Sequence, residues 1–382
     1  MAINRINKQV QELLIKPRNA EQTFREYLIQ LLDYYKQLLI IERSNLEQYC
    51  FKDLPFSELL KSVNYSINKL LIIYDAYMQG NIGKAIRVAK QYFFNIESVF
   101  TEALKPNEKL YRARVVEQSS DKLNSFEMFH LPFEKRSFIS NNRFSISGYP
   151  CLYLGQSILA CWEEMHKPNL DIMYVSSCSI LNNQRKNMID LRWKNYSDNY
   201  WNIDDADFDS PVRFQVWTFI HRMPLKIACS IPVFNQNSPF KEEYVIPQVL
   251  LLSCFGDKKV DGIAYTSTRR DDQISNELSL HHNYVFPVQK IKDRGFCEKL
   301  TADFQITHGI SFMEADIKNV FHAKGTPNVY IEDSTIVLGT LDQGKSEYEC
   351  TKFGQMEDYL KTQPRYSLKK IDGKWEEIPI ES

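Results

Sequence analysis

The sequence lacks the patterns that mark several large classes of protein. It has no uninterrupted apolar run of membrane-spanning length, and its first residues, MAINRINKQVQELL, contain no apolar signal-peptide core. Its eight cysteines form no Cys-x-x-Cys pair, so we predict neither a disulfide framework nor a zinc site, and no metal requirement. We therefore expect a cytoplasmic protein with free, mostly buried thiols.

Three cofactor motifs and a strong charge imbalance are missing as well. There is no Gly-x-Gly-x-x-Gly turn, no Walker loop and no His-Glu-x-x-His pair, which argues against a Rossmann oxidoreductase, an ATPase and a zincin. Lysine plus arginine number 47 against 48 acidic residues, for a formal net charge of -1. No global field recruits nucleic acid or a membrane, so any anion site must be local.

What is present is an ordinary globular composition on a long chain. The 382 residues are 43% hydrophobic and 13% aromatic, and the length predicts two or three domains. Over residues 1–105 apolar side chains recur at helical spacing, which predicts a helical bundle with a short helix over 10–14 and longer ones over 24–39, 59–74 and 82–104. The aromatic stripe is interpreted as core; covering a cleft or mediating homo-oligomerisation are alternatives that the sequence leaves open.

A short strand over residues 111–115 is the first candidate for binding chemistry. Arg112 and Arg114 alternate along it and would point the same way, as a pair of guanidinium forks suited to pyrophosphate. The alternative is an edge strand with two solvated arginines. The loop that follows carries His130 and Arg136, which are secondary candidates because a lone histidine is more often structural.

Residues 138–165 bring a cation, an aromatic ring and carboxylates together. Arg143 lies in a polar turn, Tyr153 in an apolar strand over 151–154 that ends at Gly155, and Ser157 is placed to cap a helix that carries two adjacent glutamates, Glu163 and Glu164. A site with these groups could bind an anionic nucleotide and stabilise a positive charge that develops next to it. On these residues alone we favour a structural interpretation, in which Arg143 forms a surface salt bridge, Tyr153 is a core residue and the two glutamates lie on a solvated helix face.

Three blocks in this order resemble the RES domain, a family named for an arginine, a glutamate and a serine. They are LYRAR from residue 110, NNRFSISGYPCLYLG with the helix after Ser157, and DGIAYTSTRRDDQISNELSLHHNYVFPV from residue 261. With the segments between them they span about half of the chain, from near Lys109 to near Val288.

The resemblance assigns roles to individual residues. It implies that Arg112 and Arg143 are the two pocket arginines, that Arg114 assists in substrate binding, and that Tyr153 meets the nicotinamide or its ribose. The family register favours Glu164 as the key carboxylate; Ala160, one turn earlier on the same face, leaves room beside it. Glu163 is the alternative. Ser267 matches the family's serine, as a hydrogen-bonding group that positions substrate and not as an activated nucleophile.

The resemblance also implies a fold and an activity. RES proteins are similar to ADP-ribosyltransferases in fold and consume NAD by cleaving the bond between nicotinamide and ribose. Phosphate, water or a protein side chain is the acceptor, so NAD is a substrate, phosphate a candidate co-substrate, and no cofactor is expected. Small members are toxins held by an antitoxin partner. We expect a growth-inhibiting toxin or defence effector; alternatives are an ADP-ribosyltransferase with a protein target and a catalytically silent interaction protein.

The predicted fold class is α+β in three segments. A helical bundle (1–105) precedes a mixed α/β RES domain (106–298), and a small α+β appendage (299–382) follows. Within the RES domain, residues 170–238 are interpreted as an insertion, with strands in IMYVSSCSILNN and KNMIDL and a solvated acidic loop, WNIDDADFDSPVRF. A helix over 239–254, interrupted at Pro247, leads to the strand that delivers Ser267.

Overall fold

The chain was examined as a computed structural model. The structure describes residues 2–50, 55–94, 101–104, 108–116, 123–181, 185–201, 211–254, 260–270, 277–318, 320–321, 329–332, 335–338 and 345–380. Within these ranges no helix combines the length and apolarity needed to cross a membrane. The eight cysteines are free, six of them buried, as expected from their scattered positions.

Among the described residues five helices precede the first strand, and helices and strands are mixed along the rest of the chain. The helices are α1 Ala2–Ile15, α2 Phe24–Ile41, α3 Arg43–Leu46, α4 Phe56–Met78, α5 Ile82–Phe94, α6 Ser125–Met128, α7 Ile158–Glu164, α8 Pro211–Ser230, α9 Val245–Ser253, α10 Glu298–Asp303, α11 Phe312–Ile317, α12 Lys345–Cys350 and α13 Lys352–Lys361. The strands are β1 Thr101–Leu104, β2 Leu110–Val115, β3 Cys151–Gly155, β4 Met173–Ile180, β5 Lys186–Leu191, β6 Gly262–Thr266, β7 His282–Pro287, β8 Phe304–Thr307, β9 Ile310–Ser311, β10 Val329–Glu332, β11 Thr335–Leu338, β12 Arg365–Ile371 and β13 Lys374–Ile380. The predicted α+β class is confirmed.

The chain divides into two compact units that are each assembled from separate stretches of sequence. The first contains Met1–Glu102, Asn142–Phe144 and Ile189–Asp257, and the second contains Ala103–Asn141, Ser145–Met188 and Lys258–Ser382. These units follow different boundaries from the three predicted segments. The difference arises because contacts far apart in sequence define a compact unit, and these are invisible to composition and periodicity.

Apolar side chains that recur at helical spacing form the core of the first unit. Helix α2 begins at a capping box, in which the Thr23 hydroxyl accepts from the Glu26 amide and the Glu26 carboxylate accepts from the Thr23 amide. Its buried residues are those of the predicted stripe: Phe24, Tyr27, Leu28, Leu31, Leu32, Tyr35, Leu38 and Leu39. Gly80 follows α4 with φ of +76°, a left-handed conformation that glycine adopts without strain and that ends the helix as predicted.

Two predictions about helices were wrong or incomplete. The third helix ends at Phe94, and Thr101–Leu104 is a strand, because a short apolar run does not distinguish helix from strand by periodicity alone. Helix α8, Pro211–Ser230, was not predicted, although its proline at the first position suits a helix start. Its 13 buried residues lie on most sides of the helix, so no amphipathic stripe marks it in the sequence.

An antiparallel sheet organises the second unit. Its strands follow the order β6-β7-β3-β2-β4-β8-β12-β13, with β9 also paired to β4. The neighbours along this path run antiparallel. One face is covered by α7 and α13, whose Leu159, Trp162, Phe353 and Met356 pack with Tyr111 of β2 in one buried cluster. Strands β12 and β13 of the predicted C-terminal appendage are therefore part of this sheet, because β12 pairs with β8 and β8 with β4. Strands β10 and β11 pair with each other in a separate two-stranded sheet.

Candidate active site

Helix α7 presents the two candidate glutamates, and both its start and its position are determined locally. Ser157 caps it as predicted: its Oγ accepts from the Ala160 amide at 2.9 Å. The carboxylate of Glu357, from α13, accepts from the Ile158 amide at 2.7 Å. Two of the free N–H groups of the first turn thereby gain acceptors, which fixes the helix at the end of β3.

Gly155 lets α7 lie close against β3. A Cβ atom there would be 2.7 Å from Cys161 Sγ and 2.8 Å from the Ser157 carbonyl oxygen, closer than carbon approaches either atom. Only glycine permits this approach without displacement of the helix backbone. The contact sets the distance between the strand that bears Tyr153 and the helix that bears the glutamates.

Glu163 is a buried structural partner. It is 1% exposed, and its Oε2 lies 2.7 Å from Nδ1 of His281, which is also fully buried. The pair joins α7 to the turn that precedes β7. A carboxylate enclosed in this way has no surface to offer to a substrate, so its role is to hold the helix.

Glu164 is half-buried and lies beside an amide donor. Asn283, on β7, donates from Nδ2 to Glu164 Oε1 at 3.0 Å. Asn283 is also the register partner of Gly155 on β3 and of Tyr265 on β6. The Glu164 carboxylate is therefore oriented by the sheet itself, and its exposed part remains available to a ligand.

The sheet separates between β2 and β3, next to this carboxylate. These two strands pair at one position, Tyr111 with Gly155, whereas β3 pairs with β7 at five positions and β2 with β4 at six. Arg112 Nη1 reaches into the gap and donates to the Tyr153 carbonyl oxygen at 2.9 Å. The row that contains Asn283 and Gly155 continues to Tyr111, and the gap begins next to this row.

In the described hydrogen bonds, neither of the two strand arginines donates to a carboxylate. Arg112 donates to the Tyr153 carbonyl and Arg114 to the Phe129 carbonyl, and the Nε of each has no hydrogen-bond partner among the described residues. Burial, together with the like charge of Arg114, lowers the pKa of Arg112 to about 9. An anion bound here would relieve both effects.

The predicted site residues do not all project from one side of the sheet. Tyr153 lies two residues before Gly155, and so projects from the same face as Asn283, the face on which α7 packs. Arg112 and Arg114 alternate with Tyr111, which contacts α7, and so start from the other face. Only the gap between β2 and β3 gives Arg112 access toward Tyr153.

Ser267 follows β6 and is 3% exposed. Its amide donates to the His281 carbonyl oxygen at 2.8 Å, and its Oγ accepts from the Arg269 amide at 3.1 Å. Arg269 in turn donates from Nη1 to the Glu164 carbonyl oxygen at 3.0 Å and also to His166 Nε2. Ser267 is thereby tied to the C-terminal end of α7 through Arg269.

His130 and Arg143 occupy other surroundings. His130 is fully buried; its Nδ1 donates to the Leu131 carbonyl, its Nε2 accepts from the Cys297 amide, and burial lowers its pKa to about 4. Both ring nitrogens are therefore engaged by backbone. Arg143 belongs to the first unit, where it is buried, donates to the Cys229 carbonyl at 3.1 Å and lies over the Tyr244 ring.

Sequence reasoning missed three residues that orient the glutamates: Asn283, Arg269 and His281. All lie in the block DGIAYTSTRRDDQISNELSLHHNYVFPV, but their partners on α7 are 105 to 119 positions away. No spacing rule connects residues across that distance. Among the described residues no group of three or more histidine, cysteine, aspartate or glutamate side chains could hold a metal ion.

Comparison with known proteins gives one curated relative. The chain is 33% identical over 236 residues to the protein named "Putative toxin YopC" of Bacillus subtilis (strain 168), an alignment that covers 59% of this chain and 50% of the relative. The chain therefore spans about half the length of that protein. No family model matches the sequence, and no solved structure matches it.

Proposed function

We propose that the second unit cleaves NAD between nicotinamide and ribose, with Glu164 as its catalytic carboxylate, and that the protein acts as a growth-inhibiting toxin or defence effector. One observation carries the proposal. A half-buried carboxylate, oriented by Asn283, lies on the row of the sheet at which β2 and β3 separate. An arginine without a carboxylate partner in its described hydrogen bonds reaches into that gap.

The chemistry follows from the charge that develops in the reaction. Departure of nicotinamide leaves a ribosyl centre with oxocarbenium character, and a nearby carboxylate stabilises it. Asn283 donates to Glu164 Oε1, and in the proposed reaction the carboxylate would also interact with the ribose hydroxyls or with the incoming nucleophile. Because the amide is fixed by the sheet, the carboxylate does not have to reorient as the positive charge forms.

The remaining residues serve binding. Arg112, assisted by Arg114, would hold the pyrophosphate or an inorganic phosphate co-substrate in the gap, since bound anion charge offsets their mutual repulsion. Tyr153 would face the nicotinamide ring or its ribose. Ser267 would position substrate through its hydroxyl. Arg143 belongs to the first unit and is not part of the proposed site. The fold of the unit, on this proposal, is that of an ADP-ribosyltransferase-like RES domain.

The direct test is a nicotinamide-release assay with purified protein and NAD, with and without inorganic phosphate. Release that depends on phosphate and yields a phosphorylated ADP-ribose identifies phosphorolysis, and release without phosphate that yields ADP-ribose identifies hydrolysis. If the ADP-ribose part of NAD is labelled, label that remains on a protein identifies ADP-ribosyl transfer. Glu164→Gln is expected to lower the rate about 10²- to 10³-fold.

A matched variant controls for the loss of any surface carboxylate. Glu376 is an exposed glutamate of β13 in the same unit, and Glu376→Gln should release nicotinamide at the wild-type rate. Equal rates for Glu164→Gln and wild type would refute the assignment of Glu164. If the folded wild-type protein binds NAD but releases no nicotinamide, NAD cleavage is refuted.

The toxin role is proposed from the name of the Bacillus relative and has its own test. Induced expression in a bacterial host should arrest growth and deplete cellular NAD, whereas Glu164→Gln, expressed to the same level, should do neither. Arrest by both proteins would separate toxicity from the proposed chemistry. Co-purification from the native host would then be the route to an antitoxin or other regulatory partner.

A further inference from the structure

The first unit contains a cavity of about 600 Å³ that the proposed NAD chemistry does not use. One wall is the extended segment from the end of β5, where Asp190, Arg192 and Lys194 alternate and so share a side. The other is a face of α8, on which Thr218, Arg222 and Lys226 recur at helical spacing with Gln215 and Phe219. The volume is within the range of small-molecule sites.

The charges on the strand wall are already balanced. Asp190 lies 2.7 Å from Arg192 Nε and 2.8 Å from Lys194 Nζ. Glu102 lies 3.2 Å from Arg192 Nη2 and 2.6 Å from Lys194 Nζ. With Arg222 and Lys226 on the helix wall, the lining holds four basic side chains against two carboxylates, so its net charge is positive.

Lys226 is an unusual residue to find on a cavity wall. It is 6% exposed, and its Nζ lies 4.2 Å from the centre of the Trp193 ring and 6.0 Å from that of Phe219. No described carboxylate forms an ion pair with it. Burial lowers its pKa to about 7. The charge of Asp190 favours the ammonium form, but the cost of burial is larger, and an anion in the cavity would stabilise the buried ammonium further.

The rest of the lining is aromatic. Tyr196, Tyr200, Trp201, Phe214 and Phe219 surround the space between the two walls. Aromatic side chains offer flat faces for stacking on a planar ring, worth about 0.5–1.5 kcal/mol per pair beyond the buried area. A ligand that matched both the surplus charge and the flat walls would combine an anionic group with a ring.

We propose that this cavity binds a small organic anion that carries a planar ring, of the class of nucleotides and aryl sulfonates. Arg222 and Lys226 hold the anionic group, and the tyrosine and phenylalanine rings pack on the planar part. The site lies within the first unit, so the proposal stands or falls separately from NAD cleavage in the second.

The test uses probes whose charge is constant over the pH range examined. Cyclic AMP and naphthalene-1-sulfonate each carry one permanent negative charge, adenosine has the ring without the charge, and sulfate has the charge without the ring. Calorimetric titration of the full-length protein should show both ring-bearing anions binding below about 1 mM, and adenosine and sulfate at least about ten-fold more weakly. Failure of both ring-bearing anions to bind at about 1 mM would overturn the proposal.

Variants locate the site. Lys226→Met and Arg222→Gln should each weaken binding at least about ten-fold, the loss expected for one charge-assisted contact. Arg87→Gln, which removes an exposed arginine of α5, should leave the affinity unchanged. Two separate cavity variants keep the test decisive if one of them folds poorly. Binding that survives both substitutions would also overturn the proposal.

The pH profile gives a readout that a purely structural role would not produce. Lys226 loses its charge as the pH rises through about 7, so affinity for a permanently charged anion should fall between about pH 6 and pH 9. The charged groups that face it are Asp190, Arg192 and Lys194 on the strand wall, Glu102 on β1 and Arg222 on its own helix. This fall in affinity should be absent in Lys226→Met, which distinguishes titration of the lysine from titration of these neighbours.

Discussion

Adjacent residues with the same side chain can have opposite roles, and Glu163 and Glu164 are an example at the residue scale. Glu163 is enclosed with His281, and Glu164 is half-buried beside Asn283. We expect Glu163→Ala to lower the free energy of unfolding by about 3 kcal/mol or more, because it leaves a buried histidine without its partner. Glu164→Ala should change it by less than about 1 kcal/mol. Urea-induced unfolding of both variants measures the difference, and equal losses would contradict these roles.

Arg112 allows a second prediction at this scale, in which stability and activity separate. Its guanidinium is desolvated and lies near the like charge of Arg114, so it contributes little to the free energy of unfolding. Arg112→Met should keep that free energy within about 1 kcal/mol of wild type, and lower nicotinamide release at least about ten-fold by weakening phosphate binding. Melting temperature and release rate are measured on the same preparation. A large drop in melting temperature would make the arginine structural.

At the scale of elements, the contact between α13 and the start of α7 makes stability depend on pH. Burial raises the pKa of Glu357 to about 7 from an ordinary value of 4.5. Between these values the folded protein holds a proton that the unfolded chain has lost, so the stability contributed by this group falls as pH rises. Glu357→Gln cannot titrate, and Gln still accepts from the Ile158 amide. From about pH 5 to pH 8 the free energy of unfolding of the wild type should fall by about 1–2 kcal/mol more than that of the variant. Parallel curves of unfolding free energy against pH for the two proteins would rule this out.

Elements with a clear period were predictable, and those determined by distant contacts were not. The buried face of α2, the cap at Ser157 and the strand that carries Tyr153 follow from local spacing, and the structure has them as predicted. Helix α8 is buried on most sides and shows no stripe. The gap between β2 and β3, and the Asn283 and Arg269 contacts with α7, depend on pairing between remote segments. The strand and the helix that carry the candidate residues were thus predictable, and the contacts that orient those residues were not.

At the scale of the whole molecule, the first unit should not form from the N-terminal helices alone. Tyr35 Oη donates to the Ile220 carbonyl at 2.9 Å, and Tyr49 Oη to the Trp201 carbonyl at 3.0 Å, so these helices depend on residues far along the chain. A fragment of residues 1–105 should show helical circular dichroism but no cooperative thermal transition. Residues 1–102 joined by a flexible linker to 189–257 should regain the transition. Cooperative melting of the short fragment would show an independent bundle.

The interleaving of the two units along the chain also determines the order in which they can fold during synthesis. The first unit needs residues up to Asp257, and strands β12 and β13, which extend the sheet of the second, lie at 365–380. Glu357 of helix α13, which caps the glutamate helix, is made 199 residues after Ile158. A nascent chain that has not yet reached residue 380 therefore lacks part of the sheet. If the proposed chemistry holds, the second unit cannot consume NAD until these strands have been made.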